Sequence, residues 1–263
     1  MIMTGSADSS SRRIQLEPLK YSDQTFDHYR SLLISSAAEY SIILDPAQAG
    51  LCLEHLLYVL QVNSYINLTS ITSIDEGIIL HILDSLLFTL PVAGGRTYSN
   101  FLDMGTGAGY PGIPFHIVTG CPGTLVDSVQ KKINVVNTIV DTLQLDEVNG
   151  IHDRLETFAL QERSRFDIVL ARALAPLPTL VEYAAPLLAD EGRLIVSKGV
   201  PSNDELDAGD AAASLCGLAR LDVLHLNLPD NRGKRTIIVY DRVGNPLVQL
   251  PRAIGLAKKQ PLA

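Results

Sequence analysis

A chain of 263 residues, 46% hydrophobic and 19% charged, can bury a full core, and its length suits one large α/β unit with an appendage. This composition lies far from the disordered class, and no run of about 18 uncharged apolar residues is present to span a membrane as a helix. The net charge of −8 hides an asymmetry: from Asn231 onward seven Lys/Arg face one acid, Asp241, a net of +6 that leaves −14 on the preceding residues. A basic end on an acidic body is either a solvated tail or an electrostatic footprint for phosphates. Cys52, Cys121 and Cys216 form no Cys-x-x-Cys pair and no Cys/His cluster with metal spacing. They are expected to be reduced thiols in a cytoplasmic protein, with no metal site.

Along the chain, the first 20 residues are expected to be a disordered tail. Met1 to Gln15 is polar and Ser-rich, carries Arg12 and Arg13, and lacks the apolar core of a signal peptide. Residues 21–95 are expected to form a helical subdomain. His28–Tyr40 and Ala47–Asn63 have apolar residues at i, i+3, i+4 spacing, such as Leu53, Leu56, Leu57 and Leu60. Asp45-Pro46 supplies an N-cap and a first-position proline. A third helix is expected over Ile74–Leu90, capped at Ser73 or Asp75, and the Gly94-Gly95 pair breaks the chain before the main domain at 96–263.

There the pattern alternates. Strands are expected at Asn100–Met104, Gly123–Asp127, Val148–His152, Phe166–Ala171 and Gly192–Ser197. Helices are expected at Gly112–Thr119, Val129–Leu143, Pro178–Ala189 and Asp204–Cys216. Such alternation implies a mostly parallel sheet covered on both faces. Two final strands, Ala219–Asn227 and Arg235–Asp241, are joined too tightly for a crossover helix and must pair antiparallel, giving seven strands. Rossmann-like methyltransferase domains end this way, whereas dinucleotide dehydrogenases repeat the βαβ unit.

The run Phe101-Leu-Asp-Met-Gly-Thr-Gly-Ala-Gly-Tyr-Pro-Gly-Ile-Pro114 carries the most chemistry. It is an apolar strand ending in an acid, then four glycines in eight residues, then a helix start. A strand entering a glycine loop and a helix is how an α/β sheet holds a nucleotide-like cofactor. Gly107-Ala-Gly109-Tyr-Pro-Gly112 matches G-x-G-x-x-G, with Asp127 20 residues beyond Gly107, so NAD must be weighed. The registration is wrong for NAD: the strand ends four residues before Gly107, and Asp103 at its tip would repel a pyrophosphate. An acid there suits an ammonium, Asp127 suits ribose hydroxyls, and Gly105, Gly107 and Gly109 can turn backbone N–H groups towards a carboxylate. Those three features together favour S-adenosylmethionine.

His81-Ile-Leu-Asp84-Ser85-Leu86 followed by Asp103-Met-Gly-Thr-Gly-Ala-Gly-Tyr-Pro-Gly-Ile-Pro resembles the bacterial RsmG (GidB) family, whose members methylate N7 of a guanine in small-subunit ribosomal RNA. Val126-Asp-Ser128 with Lys131-Lys132, Arg154-Leu-Glu156, Ala171-Arg-Ala173, Ser197-Lys-Gly199 and the terminal Gly255-Leu-Ala-Lys-Lys-Gln-Pro-Leu262 follow in the same order. The resemblance implies a class I S-adenosylmethionine-dependent methyltransferase. Its cofactor pocket is lined by Gly105 and Tyr110, with Asp127 and Ser128 at the adenosine, Leu155 and Glu156 at the adenine, and Arg172 at the cofactor–substrate junction. It implies as partner small-subunit ribosomal RNA or a ribosomal assembly intermediate, its backbone contacted by Arg252, Lys258 and Lys259. Arg172 and Lys198, at the carboxyl edge of the sheet, and Lys131 and Lys132, at a helix start where positive charge opposes the dipole, are also expected to meet RNA, and a monomer is expected. Three positions depart from the family's usual residues: Lys132 for Arg, and Tyr110 and Ser197 for aliphatic side chains.

Guanine N7 is an unprotonated lone pair, so its attack on a sulfonium methyl releases no proton from the reacting atom and needs no general base. Proximity and alignment can carry such a reaction, and no residue is assigned as acid, base or nucleophile. His81 and Asp84, at i, i+3 on one helix face, read as a polar clamp between the helical subdomain and the main domain. His28, His55 and His116 read as core or surface imidazoles. An NAD-dependent oxidoreductase and a non-catalytic RNA-binding protein are the alternatives.

Overall fold

The computed structural model describes residues 14–94 and 96–263; the tail expected over residues 1–13, and Gly95 of the glycine pair, lie outside them. Residues 14–20, expected to be disordered, pack instead along the helices. Ile14, Leu16 and Leu19 lie against the core, and Glu17 exchanges two backbone hydrogen bonds with the Gln61 side chain at 2.9 and 3.1 Å.

Helix α1 (Asp23–Ala38) begins five residues earlier than its apolar pattern indicates, because Ser22 caps it by accepting from the Thr25 N–H. Helix α2 (Pro46–Asn63) starts as expected, with a full capping box between Asp45 and Gln48. The expected third helix forms but is not uniform. It runs through α3 (Ile74–Gly77), a π-helical turn (Ile78–Leu83), α4 (Asp84–Leu86) and a 3-10 turn (Leu87–Val92), with Ser73 as the cap. A π turn carries an extra residue per turn and is common at functional positions. Here it holds His81, and both His81 and Asp84 are buried.

Beyond residue 100 the alternation is realised as β1 (Phe101–Met104), α5 (Gly112–Thr119), β2 (Gly123–Asp127), α6 (Gln130–Thr142), β3 (Val148–His152), α7 (Leu155–Gln161), β4 (Phe166–Arg172), α8 (Leu177–Ala184), β5 (Leu188–Lys198), α9 (Asn203–Leu215), β6 (Leu218–Asn227), β7 (Lys234–Arg242) and α10 (Leu256–Lys259). Two short helices, α7 and α10, have too few residues to show a period and were not expected. The helix expected to run to Ala189 stops at Ala184, ahead of Pro186, and Leu188 already belongs to β5. Proline lacks the N–H that would continue the helix.

The seven strands form one sheet in the order β3-β2-β1-β4-β5-β7-β6. The first five are parallel, and β7 inserts antiparallel between β5 and β6, as the short connection required. Alternate residues face opposite layers. Ile168 and Leu170 join a core with α5, α6 and the N-terminal helices, while Val169 and Ala171 join one with α7, α8 and α9. The N-terminal helices thus share a continuous core with one face of the sheet. Strand order reverses between β1 and β4, the switch point where open α/β sheets leave a crevice at the strands' carboxyl ends. No helix among the described residues is long and apolar enough to cross a membrane.

Gly123 pairs with Phe101 across β2 and β1, and a Cβ there would lie 2.3 Å from the Phe101 ring, which is fully buried. Gly123→Ala is expected to lower stability by about 1–3 kcal/mol through overpacking, read as a lower denaturant midpoint at unchanged slope.

Candidate active site

The loop between β1 and α5 is built on backbone angles that side chains resist. Gly105, Gly107 and Gly109 have φ of +72°, +62° and +92°. At Gly105 a Cβ would also come within 2.7 Å of Leu174. Two carboxylates at successive strand ends hold this loop. Asp127 Oδ2 accepts from the Gly107 N–H at 3.0 Å and its Oδ1 from the Val129 N–H at 2.9 Å. Asp103 Oδ2 accepts from the Thr106 hydroxyl at 2.7 Å and the Gly112 N–H at 2.9 Å, while its Oδ1 is buried without a partner among the described residues. Burial pushes the Asp103 carboxyl up to about 6, against the opposing pull of those two hydrogen bonds. Asp103 was expected to face a ligand's ammonium; it lies beneath the loop, fully buried, where it braces the turn from within.

Asp127 instead stands at the rim of a cavity of about 340 Å³ beyond the carboxyl ends of the strands. Gly105, Ser128, Leu155 and Glu156, all expected at the cofactor, line it with Asp127, and so do Lys132 and Lys258, which were expected on an RNA surface. Leu174, Tyr183 and Gly255 line it without having been expected. Glu156 Oε1 accepts from the Gly255 N–H at 2.8 Å and from the Tyr183 hydroxyl at 3.4 Å, tying the C-terminal segment to the cavity wall. No sequence signal marks Tyr183. Gly255 was part of a recognised motif, but its return to this cavity is a tertiary event.

A second cavity, of about 450 Å³, adjoins the first at Ala173, which lines both. Ala173 has φ +51°, a left-handed angle uncommon outside glycine and often found at functional turns. Leu80, His81, Asp84, Arg172, Lys198 and Arg235 line this second cavity. Asp84 is the clamp that the sequence suggested. Its Oδ2 accepts from Arg172 at 3.3 Å and its Oδ1 from Arg235 at 2.9 Å, while Arg172 also donates to the Leu80 carbonyl at 3.2 Å. Lys198 is paired with Glu205 at 2.7 Å. Arg252 grips the buried Glu182 with two nitrogens and serves as a brace for the C-terminal segment. Lys131 and Lys259 are exposed outside both cavities.

Tyr110, expected at the cofactor, is buried behind the loop. Its ring stacks with His55 at 4.4 Å and with His81 at 4.6 Å, centroid to centroid. His55 Nε2 donates to the Ala108 carbonyl at 2.9 Å, and His81 Nε2 pairs with the Thr69 hydroxyl at 2.8 Å. Burial, and secondarily the Arg172 charge, pushes the imidazoles down to about 4 for His55 and about 3 for His81, so both are neutral near pH 7.

Strand order, glycine loop and switch-point cavity together define a Rossmann-like class I methyltransferase fold. Within that class the chain belongs to the family described as rRNA small subunit methyltransferase G, whose model matches residues 51–237. It is 35% identical over 228 residues to the ribosomal RNA small subunit methyltransferase G of Carboxydothermus hydrogenoformans, covering 86% of this chain and 96% of that one. It is 37% identical over 203 residues to the protein of the same name from Desulfitobacterium hafniense, covering 76% and 83% respectively.

The perturbed groups make stability depend on pH in opposing ways. His55 and His81 bind protons in the unfolded chain from about 6.5 downward but resist them when folded, so stability falls as pH drops through that window towards 4. Asp103 holds its proton in the folded state up to about 6, so its contribution is lost as pH rises from 3.8 to 6. His81→Phe is therefore expected to flatten the rise in stability between pH 4 and 6.5, and Asp103→Asn to steepen it, in urea melts across that range. Equal slopes in all three proteins would contradict this assignment.

Proposed function

We propose that the protein transfers a methyl group from S-adenosylmethionine to N7 of a guanine in small-subunit ribosomal RNA, acting as a cytoplasmic monomer on the RNA or on a ribosomal assembly intermediate. The observation that carries this reading is the pair of cavities meeting at Ala173, one acid-rimmed and floored by glycine, the other lined by cations. The donor set of the first cavity fits the cofactor. Asp127 offers two carboxylate oxygens for the ribose hydroxyls, Leu155 and Leu174 offer apolar surface for the adenine, and a side chain at Gly105 would fill the cradle. A pyrophosphate would meet the Asp127 charge instead, which argues against NAD.

Bound there, the sulfonium supplies an electrophilic methyl, and the protein's task is to hold guanine N7 in line with it. Arg172, Lys198 and Arg235 supply positive charge for RNA phosphate or the guanine O6, with Lys258 and Lys132 at the neighbouring rim. Methylation leaves positive charge on the base. The Asp84 carboxylate between the two arginines offsets their charge where that product charge develops.

Calorimetry with S-adenosylhomocysteine and NADH, followed by methylation of small ribosomal subunits and of naked RNA, separates this reading from an oxidoreductase and from a non-catalytic RNA-binding protein. S-adenosylhomocysteine is expected to bind and NADH not. Absence of S-adenosylhomocysteine binding at millimolar concentration would refute the proposal. Arg172→Ala is expected to cut turnover about 100-fold through poorer alignment while leaving the fold intact, with a lower melting temperature because the buried Asp84 loses one of its two partners. Lys258→Ala with Lys259→Ala should weaken RNA binding and reduce the log–log salt slope by about 1 for each phosphate no longer neutralised. An unchanged slope removes these lysines from the RNA path.

A further inference from the structure

The ring stack behind the glycine loop is unfavourable for stability alone. Among the described residues, His55 Nδ1, His81 Nδ1 and the Tyr110 hydroxyl are all buried with no hydrogen-bond partner, and each such group leaves a desolvation cost uncompensated. Apolar side chains of similar size would fill the same space without it. What the polar rings provide is geometric. Tyr110 is the residue after Gly109, its ring stacks with both imidazoles, and the Arg172 guanidinium lies over it, 5.5 Å from its centroid. A cation withdrawn from water is attracted to an aromatic face. Both flanking imidazoles are neutral, so they add no repulsion.

Arg172 is held on one side only. Its Nη1 donates to the Leu80 carbonyl and to Asp84, and among the described residues Nε and Nη2 make no hydrogen bond. With the Tyr110 face beneath it and Asp84 beside it, the guanidinium is fixed while part of its donor fork remains available to the second cavity. His55, from α2, also holds the Ala108 carbonyl of the same loop.

We infer that Tyr110 is a positioning residue for Arg172, and that α2 and the π-helical turn act on the transfer step by holding its ring through the stacked His55 and His81. The inference rests on the methyl-transfer reading above. It concerns the face of the ring; the hydroxyl, which has no partner among the described residues, is dispensable.

The test is a cycle of Tyr110→Leu, Tyr110→Phe and Arg172→Ala, with single-turnover methylation, KM for the RNA, S-adenosylhomocysteine affinity and melting temperature measured for each. Tyr110→Phe should keep turnover within twofold of the parent and melt no lower. Tyr110→Leu should lower the transfer rate about tenfold with S-adenosylhomocysteine affinity unchanged, and should have no further effect once Arg172→Ala is present, because the two act as one unit. An equal loss in both backgrounds, an unchanged rate, or a loss confined to cofactor affinity would each overturn the inference. If Tyr110→Leu does not fold, His81→Ala removes one of the two imidazoles stacked on Tyr110 and enters the same cycle with the same expectations. Failure of the parent to bind S-adenosylhomocysteine would instead sink the methyl-transfer reading itself, so the two failures are separable.

Discussion

A carboxylate buried between two guanidiniums holds this molecule's site together. Asp84 comes from the helical run that precedes the sheet, Arg172 from the end of β4, and Arg235 from the start of β7. Burying these charges is costly, and a buried ion pair is weak evidence of added stability. Its effect here is to set position: three elements distant in sequence converge on one acid, and the second cavity forms around them. The helical run reaches that place because a π turn precedes Asp84.

The glycine loop is governed by the same kind of constraint, applied from three sides. Asp103 holds it from below, Asp127 from the cavity side, and His55 from the N-terminal helices. A loop with three positive-φ glycines has much conformational freedom to lose on folding, and these anchors select one shape from it. The N-terminal helices are therefore part of the site's scaffold, since one of the three anchors and the ring stack come from them.

The basic C-terminal region divides by the partners its side chains find. Arg232 pairs with Glu76, Arg235 with Asp84, Arg242 with Asp190 and Arg252 with Glu182, four of its cations joining distant parts of the fold. Lys258 lines the first cavity beside Lys132. The excess positive charge seen in composition is thus largely structural, and the part facing the cavities is smaller than a count of Lys and Arg suggests.

The sequence by itself determined the strand–helix alternation, the closing antiparallel pair, the glycine loop, and Asp127, Leu155 and Glu156 on one cavity. All but Leu155 and Glu156, which the family resemblance implied, follow from local signals: the succession of apolar strand and helix segments, a connection too short for a crossover, and an acid at a strand's end. The tertiary structure decided which way the acids and cations point. Asp103 and Asp127 both end apolar strands, yet one is roofed by its own loop and the other opens to the cavity. Arg252 and Lys258 belong to one basic run, yet one grips a buried glutamate while the other lines the cavity. Tyr110 directly follows Gly109 of the glycine loop, and only the approach of α2 and the π turn makes it part of a buried ring cluster. Orientation of this kind depends on residues dozens of positions away, and the local pattern of a sequence carries no term for them.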